Sequence, residues 1–304
     1  MSTYKEIEIE QYEITGCYIR SDIIVGFVGR NTTAGDPHPT RAFAYYLDNK
    51  EWGFIHLDKT YGVLGCETYT PEDKWIFATV EGHVIAVGGG NMVEKPLPIS
   101  EKSRVTQLRC IDKKAYAVTT MREVYRRDNV SKWTNLSVPI MESEKKNLNN
   151  LGFDAIDGFS ENDIYACGSH GDGWHYDGKT WQRLDLPPTN AMISDMVCGD
   201  DGNVYIIFWH GLIVKGRNDQ WEIIKQSAAE QLESVAWFKG HAYIATWNRL
   251  YKLVDDKLIA IPFDNGYSQK FCGHLVAGYG NLISAGPKEA HIFDGKKWNM
   301  IFNY

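Results

Sequence analysis

Short runs that place one large apolar residue before small ones recur along the whole chain. They are DIIVG around Ile24, DKWIFA around Trp75, KAYAV around Tyr116, DIYACG around Tyr165, NVYII around Tyr205, HAYIA around Tyr243 and NLISAG around Ile283. Each run has strand length and is bounded by polar or glycine-rich residues, which predicts a buried β-strand. Helical periodicity of useful length is absent; only Ser227 to Leu232 suggests a turn of helix. Successive anchors lie 51, 41, 49, 40, 38 and 40 residues apart. A period near 40 with several strands per unit is the sequence sign of a propeller. The expected fold is therefore all-β, a single seven-bladed β-propeller of four-stranded antiparallel blades. Blade limits fall near 6–58, 62–99, 104–140, 152–188, 192–227, 232–263 and 270–304. A sandwich pair or a barrel fits seven nearly equal units less well.

The clearest unit runs from Phe153 to Leu186, with strands expected near 153–159, 163–169, 174–177 and 180–186. The turn before its last strand is Asp177-Gly178-Lys179, set directly against Trp181. Aspartate supplies a local acceptor and glycine a positive φ, as a tight hairpin needs. Related turns precede Trp52, Trp133, Trp221 and Trp298, with Asn129 and Asn218 expected to replace Asp or Gly in two of them. The tryptophan should start the outermost strand and cover the packing against a neighbouring blade. Residues 84–95 and 252–258 lack it, so the second and sixth blades depart from the pattern. The alternating Glu6–Ile14 segment is expected in the first blade or on an edge, because Phe271 to Tyr304 already supplies four strands.

The pattern D-x-Y-A-x-G followed by H-Y-D-G-x-x-W resembles irregular bacterial propeller repeats. It is loosely similar to the Kelch and galactose-oxidase central-domain group. The resemblance implies the fold alone. The Kelch Gly-Gly doublet and the WD-repeat Gly-His and Trp-Asp pairs are missing from the repeats, so no family functional residue transfers.

Charge then narrows the partner. Lys plus Arg number 32 and Asp plus Glu 39, a net charge of −7. That disfavours nucleic acid, which attracts a basic face, and suits a cationic protein partner. No apolar run is long enough for a membrane helix, and the Glu-rich start does not resemble a secretory signal. The six cysteines (17, 66, 110, 167, 198 and 272) contain no C-x-x-C and read as free thiols of a cytoplasmic protein.

Function should sit on the loops between second and third strands and on the connectors between blades, which share one face. From that set the expected partner-binding residues are Arg122, His170, Asp172, Trp209, His210, Trp247 and Arg249. Trp and Arg are common interface anchors, and aromatic side chains in loops need a reason that strand aromatics do not. The opposing reading packs Trp209 and Trp247 inward at strand ends. The loops Arg30 to Arg41, Glu81 to His83 and Pro287 to Glu289, with the connectors Lys59 to Tyr61, Glu142 to Asn150, Thr189-Asn190 and Asn265 to Tyr267, complete the face. His83, His170 and His210 lack metal-ligand spacing, so no metal or cofactor is expected. Nor do G-x-S-x-G, P-loop or H-E-x-x-H motifs occur. The resulting expectation is a non-catalytic scaffold, monomeric by itself, that recognises a protein in the manner of a toxin inhibitor or immunity protein. The alternatives are a carbohydrate-active hydrolase or lyase using Asp154, Asp157 or Asp195, and a lectin.

Overall fold

A computed structural model describes residues 9–34, 39–57, 62–140, 151–224, 230–262, 270 and 272–304. Among them are 28 strands in seven four-stranded sheets, each a meander of consecutive strands. The fold is a seven-bladed β-propeller, as the anchor spacing predicts. The chain divides into two compact units, Leu64–Leu232 and Met1–Val63 with Glu233–Tyr304.

The Leu64–Leu232 unit carries four sheets. They are β5(Val63–Thr68) to β8(Asn91–Val93), β9(Val105–Ile111) to β12(Lys132–Asn135), β13(Ala155–Ser160) to β16(Trp181–Arg183), and β17(Ile193–Cys198) to β20(Gln220–Ile224). The other unit carries three: β1(Tyr12–Ile19) to β4(Glu51–His56), β21(Leu232–Phe238) to β24(Lys257–Ala260), and β25(His274–Gly278) to β28(Trp298–Asn303). All seven sequence anchors fall in the second strand of their sheet. In β10(Lys114–Thr119), β14(Asp163–Gly168) and β22(His241–Thr246) every residue after the first is buried. A strand buried on both faces has no polar alternation, which is why these runs read as continuous apolar segments.

The aspartate turn forms as its residues dictate. The Asp177 carboxylate accepts the amides of Lys179 at 2.9 Å and Thr180 at 2.7 Å, while Gly178 adopts φ 90°. Asp294 repeats this with Lys296 and Lys297, and Gly295 takes φ 93°. Asn218 does take the left-handed conformation before Trp221, but Ser131, not Asn129, takes it before Trp133.

Each recurrent tryptophan packs toward the preceding sheet. The Trp181 indole donates to the carbonyl of Leu136 at 2.6 Å and lies against Phe153. Trp221 meets Tyr165, and Trp52 meets Phe302. Trp298 stacks on Phe293 at 4.7 Å beside Phe238 and Tyr243. The turn therefore delivers a large apolar body to the seam between sheets, where most of the core lies.

The N-terminal segment enters the first sheet. Tyr12–Ile14 begin β1, and Glu6–Glu8 lie outside the described residues. The Ile14 amide donates to the Pro287 carbonyl at 2.9 Å, and Lys288 donates to the carbonyls of Glu10 and Tyr12. Val25, Phe27 and Phe43 share a core cluster with Ile283, Ala290 and Phe302, so the first and last sheets of this unit join by packing. The expected helical turn at Ser227 also lies largely outside the described residues. All six cysteines are free thiols.

Two histidines of this unit give its stability a defined pH dependence. Burial lowers both His274 and His291 from 6.5 to about 4, and His291 is 0% exposed. A neutral imidazole is thus favoured in the fold. Its contribution is intact above pH 6.5 and lost as pH falls toward 4, where the unfolded chain binds the extra proton. For His291 the full effect is on the order of 3 kcal/mol. Denaturant midpoints measured between pH 7 and 4.5 should fall with acidity, and the slope should shrink in His291→Leu. An unchanged slope in that variant would reject the assignment.

Candidate functional site

Several loops between second and third strands are stitched to connectors that enter a first strand, either of the same sheet or of the next. The Trp209 amide donates to the Met192 carbonyl at 3.0 Å, Thr120 to Arg104 at 3.0 Å, and Cys272 to Trp247 at 2.9 Å. These backbone bonds build an edge on which turn and connector side chains stand next to one another within each unit.

In the Leu64–Leu232 unit, the β18–β19 turn projects Trp209, 41% exposed, with His210 exposed beside it. Met192 is exposed on the adjoining connector. The β14–β15 turn adds exposed His170. In the other unit the β22–β23 turn projects Trp247, 54% exposed, with exposed Asn248 and Arg249. The Cys272 thiol, itself buried, donates to the carbonyls of Thr246 and Arg249 at 3.0 Å each and so clasps that turn from beneath. The inward-packed reading of the two tryptophans is therefore wrong: both keep much of their surface in water.

Arg122 and Asp172 correct the sequence expectation. Their side chains are 0% and 3% exposed and form a two-pronged ion pair, with Nε and Nη2 of Arg122 each 2.6 Å from a carboxylate oxygen. Neither can touch a partner directly. The physical reason is local: Arg122 sits at φ 56° on the β10–β11 turn, and its guanidinium lies 5.1 Å over the ring of Trp174 under the turn. Lys59 to Tyr61 and Glu142 to Asn150 lie outside the described residues, as do Asn265 to Tyr267 and part of Arg30 to Arg41.

The carboxylates considered for acid–base chemistry are occupied. Asp157 and Asp195 stand on the first strands β13 and β17, 9% and 8% exposed. Asp157 accepts the amide of Cys198 at 2.8 Å and Nη2 of Arg109 at 3.3 Å, and Arg109 also donates to the Met196 carbonyl. Asp195 accepts Nε2 of Gln107 at 2.9 Å, whose Oε1 in turn accepts the Ile156 amide. These side chains join neighbouring first strands. On β5 nearby, burial pushes the Glu67 carboxyl up, and the Arg109 charge opposes that rise. Asp154 turns instead to Ser169, accepting its amide at 3.1 Å and hydroxyl at 2.9 Å. His83, His170 and His210 form no metal-ligand group; among the described residues none is found.

Sequence reasoning missed Gly152 and Gly168. A Cβ on Gly168 would lie 1.7 Å from the carbonyl oxygen of Gly152, and one on Gly152, at φ 123°, 2.3 Å from that of Thr120. Three backbones cross here in contact, directly beneath the His170 turn. An isolated glycine at the end of a strand was the available signal.

No protein-family model matches the chain. Solved structures with the same fold include the WD40 propeller domain of Doa1, at 13% identity and TM-score 0.65 over 91% of each chain. YCF48 from Cyanidioschyzon merolae matches at 11% identity and TM-score 0.66, covering 97% of this chain and 96% of that one. At such identities the likeness speaks for the propeller alone and does not single out the Kelch-like group. A sequence relative says more. The immune protein Tsi7 of Pseudomonas aeruginosa is 36% identical over 242 residues, 77% of each chain. The chain therefore belongs to the family of the immune protein Tsi7.

Proposed function

We propose that this protein is a non-catalytic immunity-type scaffold that binds and neutralises a protein toxin through the edge bearing the second-to-third-strand turns. The observation that carries the reading is the pair of exposed tryptophans, Trp209 and Trp247, at equivalent turns of their own sheets. Each is held by a backbone hydrogen bond to a neighbouring connector. A preformed aromatic anchor on a fixed turn loses little conformational freedom on binding, which favours affinity. His210 and His170 supply polar contacts in the unit that carries Trp209, and Arg249 does so beside Trp247. Membership of an immune-protein family supports a toxin as the partner. The net charge of −7 and isoelectric point near 5.7 favour a cationic partner surface, with association that slows as salt rises. Free thiols fit action in the cytoplasm. The occupied inner carboxylates favour stitching over hydrolysis of a sugar.

The test begins with recovery of a stoichiometric partner on the tagged wild-type chain from its host, followed by purification of that partner. Trp209→Ala and Trp247→Ala should each weaken binding by about 2 kcal/mol or more. Their denaturant midpoints should barely move, because an exposed turn side chain leaves no core cavity. Full affinity in both variants, with folding intact, would place the partner on another surface.

A further inference from the structure

Asp172, the first residue of β15(Asp172–Tyr176), is buried yet fully engaged. Besides the two bonds from Arg122, its carboxylate accepts the Gly152 amide at 3.1 Å and the Trp174 indole N–H at 2.9 Å. The donors come from the β10–β11 turn, the connector that enters β13, and β15 itself. One carboxylate thus ties three segments of the partner edge. Two residues earlier, exposed His170 is held at φ 63°, a left-handed conformation that a non-glycine residue adopts only under constraint. On its other flank Ser169 is bound by Asp154 through amide and hydroxyl. The strained, exposed residue is therefore clamped from both sides.

Buried ion pairs can often be replaced by apolar groups without loss of stability. Stability alone does not account for such an arrangement; direction does, because a two-pronged guanidinium–carboxylate pair fixes orientation. We infer that Arg122 and Asp172 are positioning residues that lock the Ser169–Gly171 turn and present the His170 imidazole as a preformed, specificity-determining contact for the protein partner. The inference rests on the partner-edge reading above.

The probe is the partner protein purified with the wild-type chain, and the readouts are its affinity and the denaturant midpoint. His170→Ala should weaken binding by about tenfold with the midpoint unchanged. The paired replacement Arg122→Met with Asp172→Leu should lower the midpoint only by what the stranded Gly152 and Trp174 donors cost, and weaken binding to a similar extent as His170→Ala. Adding His170→Ala to that pair should cost nothing more, because both act through one contact. Should the paired variant fold poorly, Asp154→Ala tests the other clamp. It should speed amide exchange at Ser169 and weaken binding only while His170 is present. Wild-type affinity in His170→Ala, together with a loss in Trp209→Ala, would overturn the inference and leave the partner edge standing. Additive losses in the triple variant would also overturn it. Wild-type affinity in Trp209→Ala, Trp247→Ala and His170→Ala alike, or no stoichiometric partner at all, would overturn the edge reading and the inference with it.

Discussion

Truncating Arg127 to alanine is expected to lower the free energy of unfolding by about 3–5 kcal/mol, the usual effect of stranding a buried charge. Arg127 and Glu94 are both 0% exposed, with Nη2 and Nε of the arginine 2.6 and 3.2 Å from the carboxylate. Glu94 has one further donor, the Ser131 amide at 2.9 Å. Without the guanidinium the carboxylate keeps its desolvation cost and one amide. The pair also stands where the repeat is weakest. β8 has no tryptophan, and its residues Asn91, Met92 and Val93 are all exposed. Glu94 follows directly and ties this outer strand to the next sheet. Replacing Glu94 and Arg127 together by leucine and methionine should restore most of the loss. Denaturant unfolding at constant m-value measures both outcomes. A cost below about 1 kcal/mol for Arg127→Ala would show that water reaches the pair.

Gly168→Ala should be at least as damaging, about 4 kcal/mol or more, with little folded protein recovered. The new methyl group would sit 1.7 Å from the Gly152 carbonyl oxygen and 2.8 Å from its carbon. Backbone on both sides leaves no flexible side chain to yield. Gly171→Ala is the control: at φ 74° it carries conformational strain, but nothing lies within 4 Å of its Cβ position. Its cost should stay near 1–2 kcal/mol, the range for a non-glycine residue in that region. Soluble yield and denaturant midpoint compare the two variants. Gly168 itself is extended, at φ −135°, so equal effects would mean that the Gly152 backbone yields to the new methyl group.

The architecture was legible because its signals are local. A strand buried on both faces must be apolar throughout, so seven such runs at a period near 40 mark the second strand of every sheet. Asp177-Gly178 and Asp294-Gly295 specify their turns by their own hydrogen bonds and backbone freedom, and the indole that follows is delivered to the seam with the preceding sheet. Exposure of Trp209 and Trp247 was legible only as one of two readings. What separated them was whether the neighbouring connector covers the turn, and sequence spacing carries no information about that.

Arg122 and Asp172 show most directly where the sequence stops. In the chain they are a charged turn residue and a charged residue at the start of a strand, which is how exposed partner contacts also read. Fifty residues separate them, and only the packing of one sheet against the next brings the guanidinium over Trp174 and onto the carboxylate. The same holds for Glu94 with Arg127, and for Gly152 against Thr120. The sequence by itself determined the strands, their turns and the tryptophan seams, since each depends on residues within a few positions. Tertiary structure decided which charges are buried and which side chains remain for a partner, because desolvation depends on what the neighbouring sheet places above a residue.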